Sequence, residues 1–552
     1  LREEKTDYLL VAAAMMVVFF LLYSFSFLDD NTLTSWFWVF LTVDAKVVAA
    51  LVLLGILAAF VLSRMQSLEE HPAPLLFLFS FVAGALFWRA PEVIIDASRY
   101  FTYAKSMAEY GVLYFLREWG GEINPWTDLP AVPFLYGLIF RFLGESRSYV
   151  QLFNTLLFSS TVVIIYMLGA RLWSRSTGFC AGLLLLAAPY LYTQVPLMLV
   201  DIATMFLLTL AVFATVEALE RKSPAHAILA SLAIFLSFYS KFSSWIMLSV
   251  VLVIFFMYRK DPRSMRMAGL VTALSLALIG TVFLFKMDVL TVQLELLRTY
   301  QRPMLSVWQE SHVSTFFYQV HPAVSLAALF SAYAAYRRRD SSYLMAGWLL
   351  ILVLLIDVRR IRYLMPVFPM LALAAAYGLR EVKQGRLRRF IACSAAASSI
   401  AIAVFAYLPF LESISAVNLM EAGRVVDALE QDDVAVYTPP PQGGAYNPAV
   451  AVPIFDLFTH KKIIYTQEKL SPPERAKRSP LRFTWEYRAP RYYEARSTKE
   501  SIVVVISQDF EPLPASLEQV LGGYILHKEF YKKSRRPYLY RTMVRIYLPT
   551  SS

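Results

Sequence analysis

Val150-Gln-Leu-Phe-Asn-Thr-Leu-Leu-Phe-Ser-Ser-Thr-Val-Val-Ile-Ile-Tyr-Met-Leu-Gly-Ala170 carries no charged side chain from end to end. At helical rise such a run is about 30 Å long, the thickness of a bilayer's hydrocarbon core. Tyr8–Leu28 is a second run of this kind. Repetition of the pattern predicts about thirteen spans, near 8–28, 38–62, 75–90, 149–170, 178–198, 201–218, 226–242, 244–258, 266–286, 316–336, 342–357, 363–379 and 390–410. Composition agrees: 58% of the 552 residues are hydrophobic and 17% charged, against about 25% charged in a soluble domain, and mean hydropathy is +0.51. Asp44 and Lys46 fall inside the second run, so its helix is expected to start nearer residue 45. Leu129–Leu143 is apolar but short, with Pro130, Pro133 and Arg141, and reads as an interfacial or re-entrant piece.

The net charge of +11 is distributed as short clusters between apolar runs. Arg221–Lys222, Arg259–Lys260 with Arg263 and Arg266, Arg337–Arg339, and Arg380 to Arg389 follow spans six, eight, ten and twelve. All then face the cytoplasm, as does the N-terminus with Arg2 and Lys5. An odd number of spans puts everything after about residue 411 outside. This distribution argues against nucleic-acid binding, which needs a basic patch or stripe. Cys180 and Cys393 lie in apolar runs and read as small buried hydrophobes, with neither a disulfide framework nor metal-ligand spacing. The first run is read as a retained anchor.

Residues 1–410 thus form a polytopic all-α membrane domain and 411–552 a small extracytoplasmic α/β domain. In the tail, Leu419–Gln431 has helical spacing, while Asp433–Tyr437, Ser501–Ser507, Tyr524–Lys532 and Tyr538–Leu548 read as strands. The loop Thr438-Pro-Pro-Pro-Gln-Gly-Gly444 separates two of these elements. Two outer loops, about 89–149 and 286–315, are long enough to carry function; the first is expected to hold short surface helices.

The outer face gathers the informative ionisable residues: Asp96, Asp201, Lys241, and Arg359, Arg360 and Arg362. Two carboxylates and several cations at one depth suit transfer from a phosphate-linked donor. A carboxylate takes the proton of an incoming hydroxyl, and cations in a partly dry site stabilise a departing phosphate. Arg meets phosphate through its planar fork, Lys as a point charge. A donor with a polyprenyl tail would enter sideways from the lipid. Taken singly, each residue has a plainer reading as a hydrated or snorkelling helix-end charge. Pro189, Pro196, Pro366 and Pro369 read as kinks, and His312 and His321 as loop residues. The two carboxylates also admit a divalent cation, although no ligand set demands one. The rival class is a secondary transporter or lipid flippase, which paired repeats and midplane charges would favour; neither stands out. A receptor-like protein working through its tail would leave the charged face unexplained.

Four passages resemble the GT-C membrane glycosyltransferases, within them the group joining dolichyl-phosphate-mannose protein mannosyltransferases and the aminoarabinose transferases of lipid A. Asp96-Ala-Ser-Arg-Tyr-Phe-Thr-Tyr-Ala-Lys-Ser-Met-Ala-Glu-Tyr-Gly111 is similar to the first-loop pattern. Pro130-Ala-Val-Pro133 with Phe142-Leu-Gly144 and Gly169-Ala-Arg-Leu172 resembles the stretch into the next helix. Pro189 with Asp201 resembles the second acidic loop, and Arg362-Tyr-Leu-Met-Pro-Val-Phe-Pro369 the late Arg-Tyr, Pro, Pro segment. The resemblance implies a GT-C fold, a polyprenyl-phosphate sugar donor, and a lipid, glycan or protein acceptor outside. It makes Asp96 the catalytic carboxylate and Asp201 the second acidic position, both catalytic candidates, with Lys241 and Arg362 toward the donor phosphate; Arg359 and Arg360, in the same charged cluster, are expected to join them there. Arg99, Tyr100, Tyr103 and Tyr363, on the same passages, are expected to contact acceptor or donor. Ala97 stands where Glu is usual and Phe242 where Gly is usual. A Trp-Trp-Asp-Tyr-Gly motif is missing, which argues against an oligosaccharyltransferase.

Overall fold

The computed structural model describes residues 2–31, 34–65, 70–93, 95–305, 310–355, 359–440, 447–468, 470–477, 479, 481–494, 501–508, 512–532 and 542–550, without the side chains of 2–4, 304, 305 and 475. Of the segments read above, residues 94, 306–309, 356, 357, 441–444 and 538–541 lie outside the described residues. Eight helices among the described residues are long and apolar enough to cross a membrane. They are Lys5–Ser24, Ala45–Leu62, Pro72–Arg89, Arg147–Leu172, Asp201–Arg221, Pro262–Gln301, Ile361–Glu381 and Gly385–Leu411. Each of the thirteen expected spans falls on helix over most of its described residues. Five of them fall on helices that are shorter or broken. Pro224–Phe238, Phe242–Met257 and Tyr343–Leu355 are short apolar helices, and Pro322–Arg338 has 17 residues. The second span does start at Ala45, where the Asp44 carboxylate caps the Lys46 N–H at 2.8 Å.

The expected span 178–198 is broken. One helix ends at Leu185 and a six-residue helix starts at Pro189. Proline has no N–H to continue the ladder and drives the preceding residue out of the helical region; Ala188 is extended, at φ −119° and ψ 92°. The freed Ala187 carbonyl accepts from the His321 N–H at 2.8 Å. The second correction concerns the loop expected over 286–315. The chain stays helical through Leu305, with a kink at Lys286 (φ −136°, ψ 27°). Hydropathy changes at Lys286, but Asp288–Tyr300 contains no Pro or Gly to end the helix. Lys286 Nζ ties the kink to the Arg117 and Trp119 carbonyls at 2.7 and 2.9 Å.

Between the third and fourth membrane helices the chain forms helices Asp96–Tyr110, Val112–Glu118 and Ala131–Leu143. The first two meet at Gly111, whose φ of +91° is reached readily only without a Cβ. Helices 96–110 and 131–143 lie so close at Gly137 that a Cβ there would sit 2.4 Å from Met107 Sδ. This contact fixes the height of the helix that carries Asp96.

The C-terminal domain has a five-stranded mixed sheet: β1 Asp433–Tyr437, β2 Lys462–Tyr465, β3 Ile502–Ser507, β4 Tyr524–Phe530 and β5 Met543–Pro549. The order is β2-β1-β3-β5-β4. Strands β2, β1 and β3 are parallel, with Val434 opposite Ile463 and Ile502; β5 runs antiparallel to β3 and β4. Every residue of β3 is buried, as in a central strand covered on both faces. Leu419, Val426 and Phe455 of the flanking helices cover one face and Leu517 the other. The short β2 was not anticipated.

Candidate active site

Asp96 and Asp201 each occupy the first position of a helix, where the partial positive charge of unpaired N–H groups favours a carboxylate. Lys241 precedes helix Phe242–Met247 in an extended conformation. Arg362 sits in the one-turn helix Ile361–Leu364. These four residues, far apart in sequence, meet. Arg362 Nη1 donates to Asp96 Oδ2 at 2.8 Å, while its Nε and Nη2 donate to Asp201 Oδ2 at 3.2 and 2.9 Å. Lys241 Nζ donates to Asp201 Oδ1 at 2.6 Å and to the Arg362 carbonyl at 3.2 Å. One planar fork therefore spans two carboxylates, a geometry that Lys cannot reproduce. The Asp201 side chain is fully buried and that of Asp96 is 23% exposed, so Asp96 is the more accessible to a solvent-borne group.

Tyr363 joins the cluster through its ring, 4.5 Å from Lys241 Nζ. Arg359 and Arg360 are half-buried just before Arg362, and Arg360 adds positive field at Asp96. Arg99, Tyr100 and Tyr103 converge on a residue that the sequence reading missed, Asp128. Arg99 Nη2 lies 3.2 Å from Asp96 Oδ1, and its Nε 3.0 Å from Asp128 Oδ2. The Tyr100 hydroxyl donates to Asp128 Oδ1 at 3.0 Å. The Tyr103 hydroxyl reaches the Asn124 carbonyl at 2.9 Å and Asp128 Oδ2 at 3.4 Å. Gln293 Nε2 fixes the Asp128 carbonyl at 2.6 Å. The only sequence signal for Asp128 is its setting in Trp126-Thr-Asp-Leu-Pro130, ahead of an apolar helix. The result is a chain of alternating charge: Asp128, Arg99, Asp96, Arg362, Asp201, Lys241.

Burial and neighbours set the Asp96 and Asp128 carboxyls apart. Burial pushes Asp96 up, but Arg99 and then Arg362 outweigh it and hold the carboxyl down at about 2. Burial dominates at Asp128, against the pull of Arg99, and lifts it to about 6. Both tyrosines are pushed well above their ordinary range by burial, then by Asp128. No group of three or more His, Cys, Asp or Glu side chains suited to a metal ion occurs among the described residues.

A buried strut begins at Glu92, which accepts from Arg147 Nε at 2.9 Å and from the Met198 N–H. It ties the Asp96 loop to the chain entering Asp201. From the other side, Asp456 of the C-terminal domain accepts from Lys105 Nζ and the Tyr493 hydroxyl, both at 2.7 Å; Lys105 also meets Glu145 at 2.9 Å. The C-terminal domain is thus seated on the helix that begins at Asp96.

Two solved structures are similar over nearly their whole length. Crystal structures of ArnT from Cupriavidus metallidurans, bound to undecaprenyl phosphate and in the apo state, align at TM-scores of 0.53 and 0.50. The alignments cover 87% and 85% of this chain and 97% of each relative, at 12% and 13% identity. The chain has the GT-C-like fold of these two structures. Residues 125–292 of this multi-pass membrane protein match the family model for dolichyl-phosphate-mannose-protein mannosyltransferase. That segment, under a third of the GT-C chain, contains Asp128, Asp201 and Lys241, whereas Asp96 and Arg362 lie outside it. No curated protein matches in sequence.

Proposed function

We propose that this protein is an inverting glycosyltransferase, moving a sugar from a polyprenyl-phosphate donor to a hydroxyl of a lipid, glycan or protein acceptor. The observation that carries the reading is the Arg362 fork shared by Asp96 and Asp201, with Lys241 on the same cluster. Asp96, the more exposed carboxylate, acts as base: it takes the proton of the acceptor hydroxyl as that oxygen attacks the anomeric carbon. The sugar–phosphate C–O bond breaks, and polyprenyl phosphate leaves with the electron pair. Arg362 and Lys241 meet the growing charge on the phosphate. Asp201 holds those two cations at a fixed spacing. The reading favours the C-terminal domain and the site outside the membrane, and the N-terminus in the cytoplasm.

Between Arg99 and Arg362 Asp96 is ionised but weakly basic, because both hold it. A donor phosphate competes for Arg362. As the guanidinium turns to the phosphate, Asp96 loses one stabilising partner and its basicity rises. Base strength is thereby coupled to donor arrival, which also suppresses idle chemistry.

The test is incubation of purified protein with a panel of polyprenyl-phosphate sugars, with and without candidate acceptors. Acceptor-dependent consumption of one donor, lost in well-folded Asp96→Asn, supports the proposal. Unchanged turnover in Asp96→Asn sinks the base assignment. Exchange flux in proteoliposomes without transfer would instead make the protein a transporter.

A further inference from the structure

The C-terminal domain does more than sit on the membrane domain. Its short helix Arg482–Glu486 reaches the charged chain at Arg99. The Phe483 ring centroid is 4.3 Å from Arg99 Cζ, close enough for a guanidinium to rest on the aromatic face. Arg99 is the link between Asp96 and Asp128, and it is only 7% exposed. Its Nη2 donates to Asp96 Oδ1 and Asp128 Oδ1, whereas Nε and Nη1 are buried without a hydrogen bond among the described residues, so ion pairing and the Phe483 ring hold the guanidinium.

The placement of Phe483 is fixed from both sides. Trp126, two residues before Asp128, lies with its ring centroid 6.3 Å from that of Phe483 and 6.0 Å from that of Tyr300. Arg482 Nη1 donates to the Tyr300 hydroxyl at 2.5 Å. Behind it, the Thr484 hydroxyl accepts from the Asn447 N–H at 3.2 Å, anchoring the helix in its own domain. Further along, Arg491 Nη2 meets Glu122 Oε1 at 2.9 Å. The segment from Arg482 to Tyr493 therefore lies across the loop that carries Asp128 and the helix that carries Asp96.

We propose that Phe483 is a positioning residue for the transfer reaction: its ring covers the Arg99 guanidinium and holds it in the gap between Asp96 and Asp128. The inference rests on the glycosyl-transfer reading above. Without the ring, water enters over Arg99, its charge is screened, and its side chain gains other rotamers. Asp96 then loses the partner that keeps its carboxylate aimed at the acceptor. The donor phosphate, held by Lys241 and Arg362 on the far side of Asp96, makes no contact with Arg99 or Phe483 in this reading and feels the change only through Asp96. The effect therefore falls on kcat and not on donor KM.

Three proteins test this: the full-length wild type, Phe483→Leu, which keeps the bulk and loses the aromatic face, and Phe483→Tyr, which keeps both. Steady-state transfer is measured on monodisperse protein against donor concentration at saturating acceptor. The expected result is kcat lowered about tenfold in Phe483→Leu with donor KM within about twofold, and kcat within about threefold of wild type in Phe483→Tyr. Wild-type kcat in Phe483→Leu, an equal loss in both variants, or a rise in donor KM in place of a fall in kcat would overturn the positioning role. Absence of transfer by the wild type would instead refute the glycosyl-transfer reading itself, so the two failures are distinct.

Discussion

Replacing Arg362 with Lys keeps the charge and removes the fork. The guanidinium makes three contacts to two carboxylates, at 2.8 Å to Asp96 and at 3.2 and 2.9 Å to Asp201. A lysine ammonium is a point donor on a flexible stem. It serves Asp201 or Asp96, not both, so one charge-assisted hydrogen bond is lost, of about 1.5–3 kcal/mol. The same loss recurs when the fork should meet a phosphate. The expected fall in kcat/KM is about 10- to 150-fold, by the tenfold-per-1.4 kcal/mol rule. Arg362→Gln removes the charge as well and leaves fully buried Asp201 with Lys241 alone. Breaking a buried pair in this way costs about 3–5 kcal/mol, so the variant should unfold at lower temperature and lose transfer. Lys241 still pairs Asp201 at 2.6 Å in that variant, so the excess charge is the Asp96 carboxylate; adding Asp96→Asn to Arg362→Gln should recover much of the stability and none of the activity. The assay is transfer from labelled lipid donor by protein in lipid nanodiscs, with thermal unfolding followed in parallel. Arg362→Lys within about threefold of wild-type kcat/KM, correctly folded, would refute the claim that the fork matters.

Asp128 is held up at about 6 and Asp96 down at about 2. Above pH 6 the Asp128 carboxylate is present and pairs with Arg99; as pH falls through that value it takes a proton and the pair is lost. Asp96 stays ionised throughout, so kcat/KM should show an acid limb near pH 6 that disappears in Asp128→Asn, and an unchanged limb in that variant would reassign it. Lys105→Met strands Asp456 and Glu145 at the interface of the C-terminal domain, and should destabilise the protein by about 3–5 kcal/mol, read as earlier thermal unfolding or faster proteolysis. For orientation, His527→Cys on exposed β4 should react with an impermeant maleimide added outside intact cells, and Arg339→Cys only after permeabilisation. The reverse pattern would invert the proposed topology and move the site to the cytoplasmic side.

Asp96, Asp201, Lys241 and Arg362 were legible in the sequence because an ionisable group next to an apolar run is expensive. Each stood out against its neighbours, and all four came together. Asp128 was not legible for the converse reason. Its stretch is polar, aromatic and Pro-rich like any loop, so nothing local marks the carboxylate as buried; only its Arg99, Tyr100 and Tyr103 partners do so. Phe483 was still further from reach, since no periodicity links a residue of the tail to Arg99. The helix over 286–305 was misread because hydropathy reports the solvent around a segment, whereas helix ends are set by breakers and caps. Strand β2 is four residues long, too short to display an alternation. The other four strands fell where alternating or β-branched runs placed them.

The alternating order of charges carries one more consequence for the reaction. Every carboxylate in the row from Asp128 to Lys241 lies beside at least one cation, and both middle members, Asp96 and Arg362, have partners of opposite sign on each side. Such a row carries three charges of each sign, and a bound phosphate adds negative charge at the Arg362–Lys241 end. Arg362 then has less to give Asp96, and Arg99 becomes its main counter-charge. A row of this kind transmits donor binding toward the acceptor side by electrostatics alone, without a moving loop. On that reasoning a phosphate-bearing lipid without sugar should raise the apparent pKa of Asp96, followed by the carboxyl's infrared band, in wild-type protein. Arg362→Gln should abolish the shift, because the cation that touches both Asp96 and Asp201 is gone.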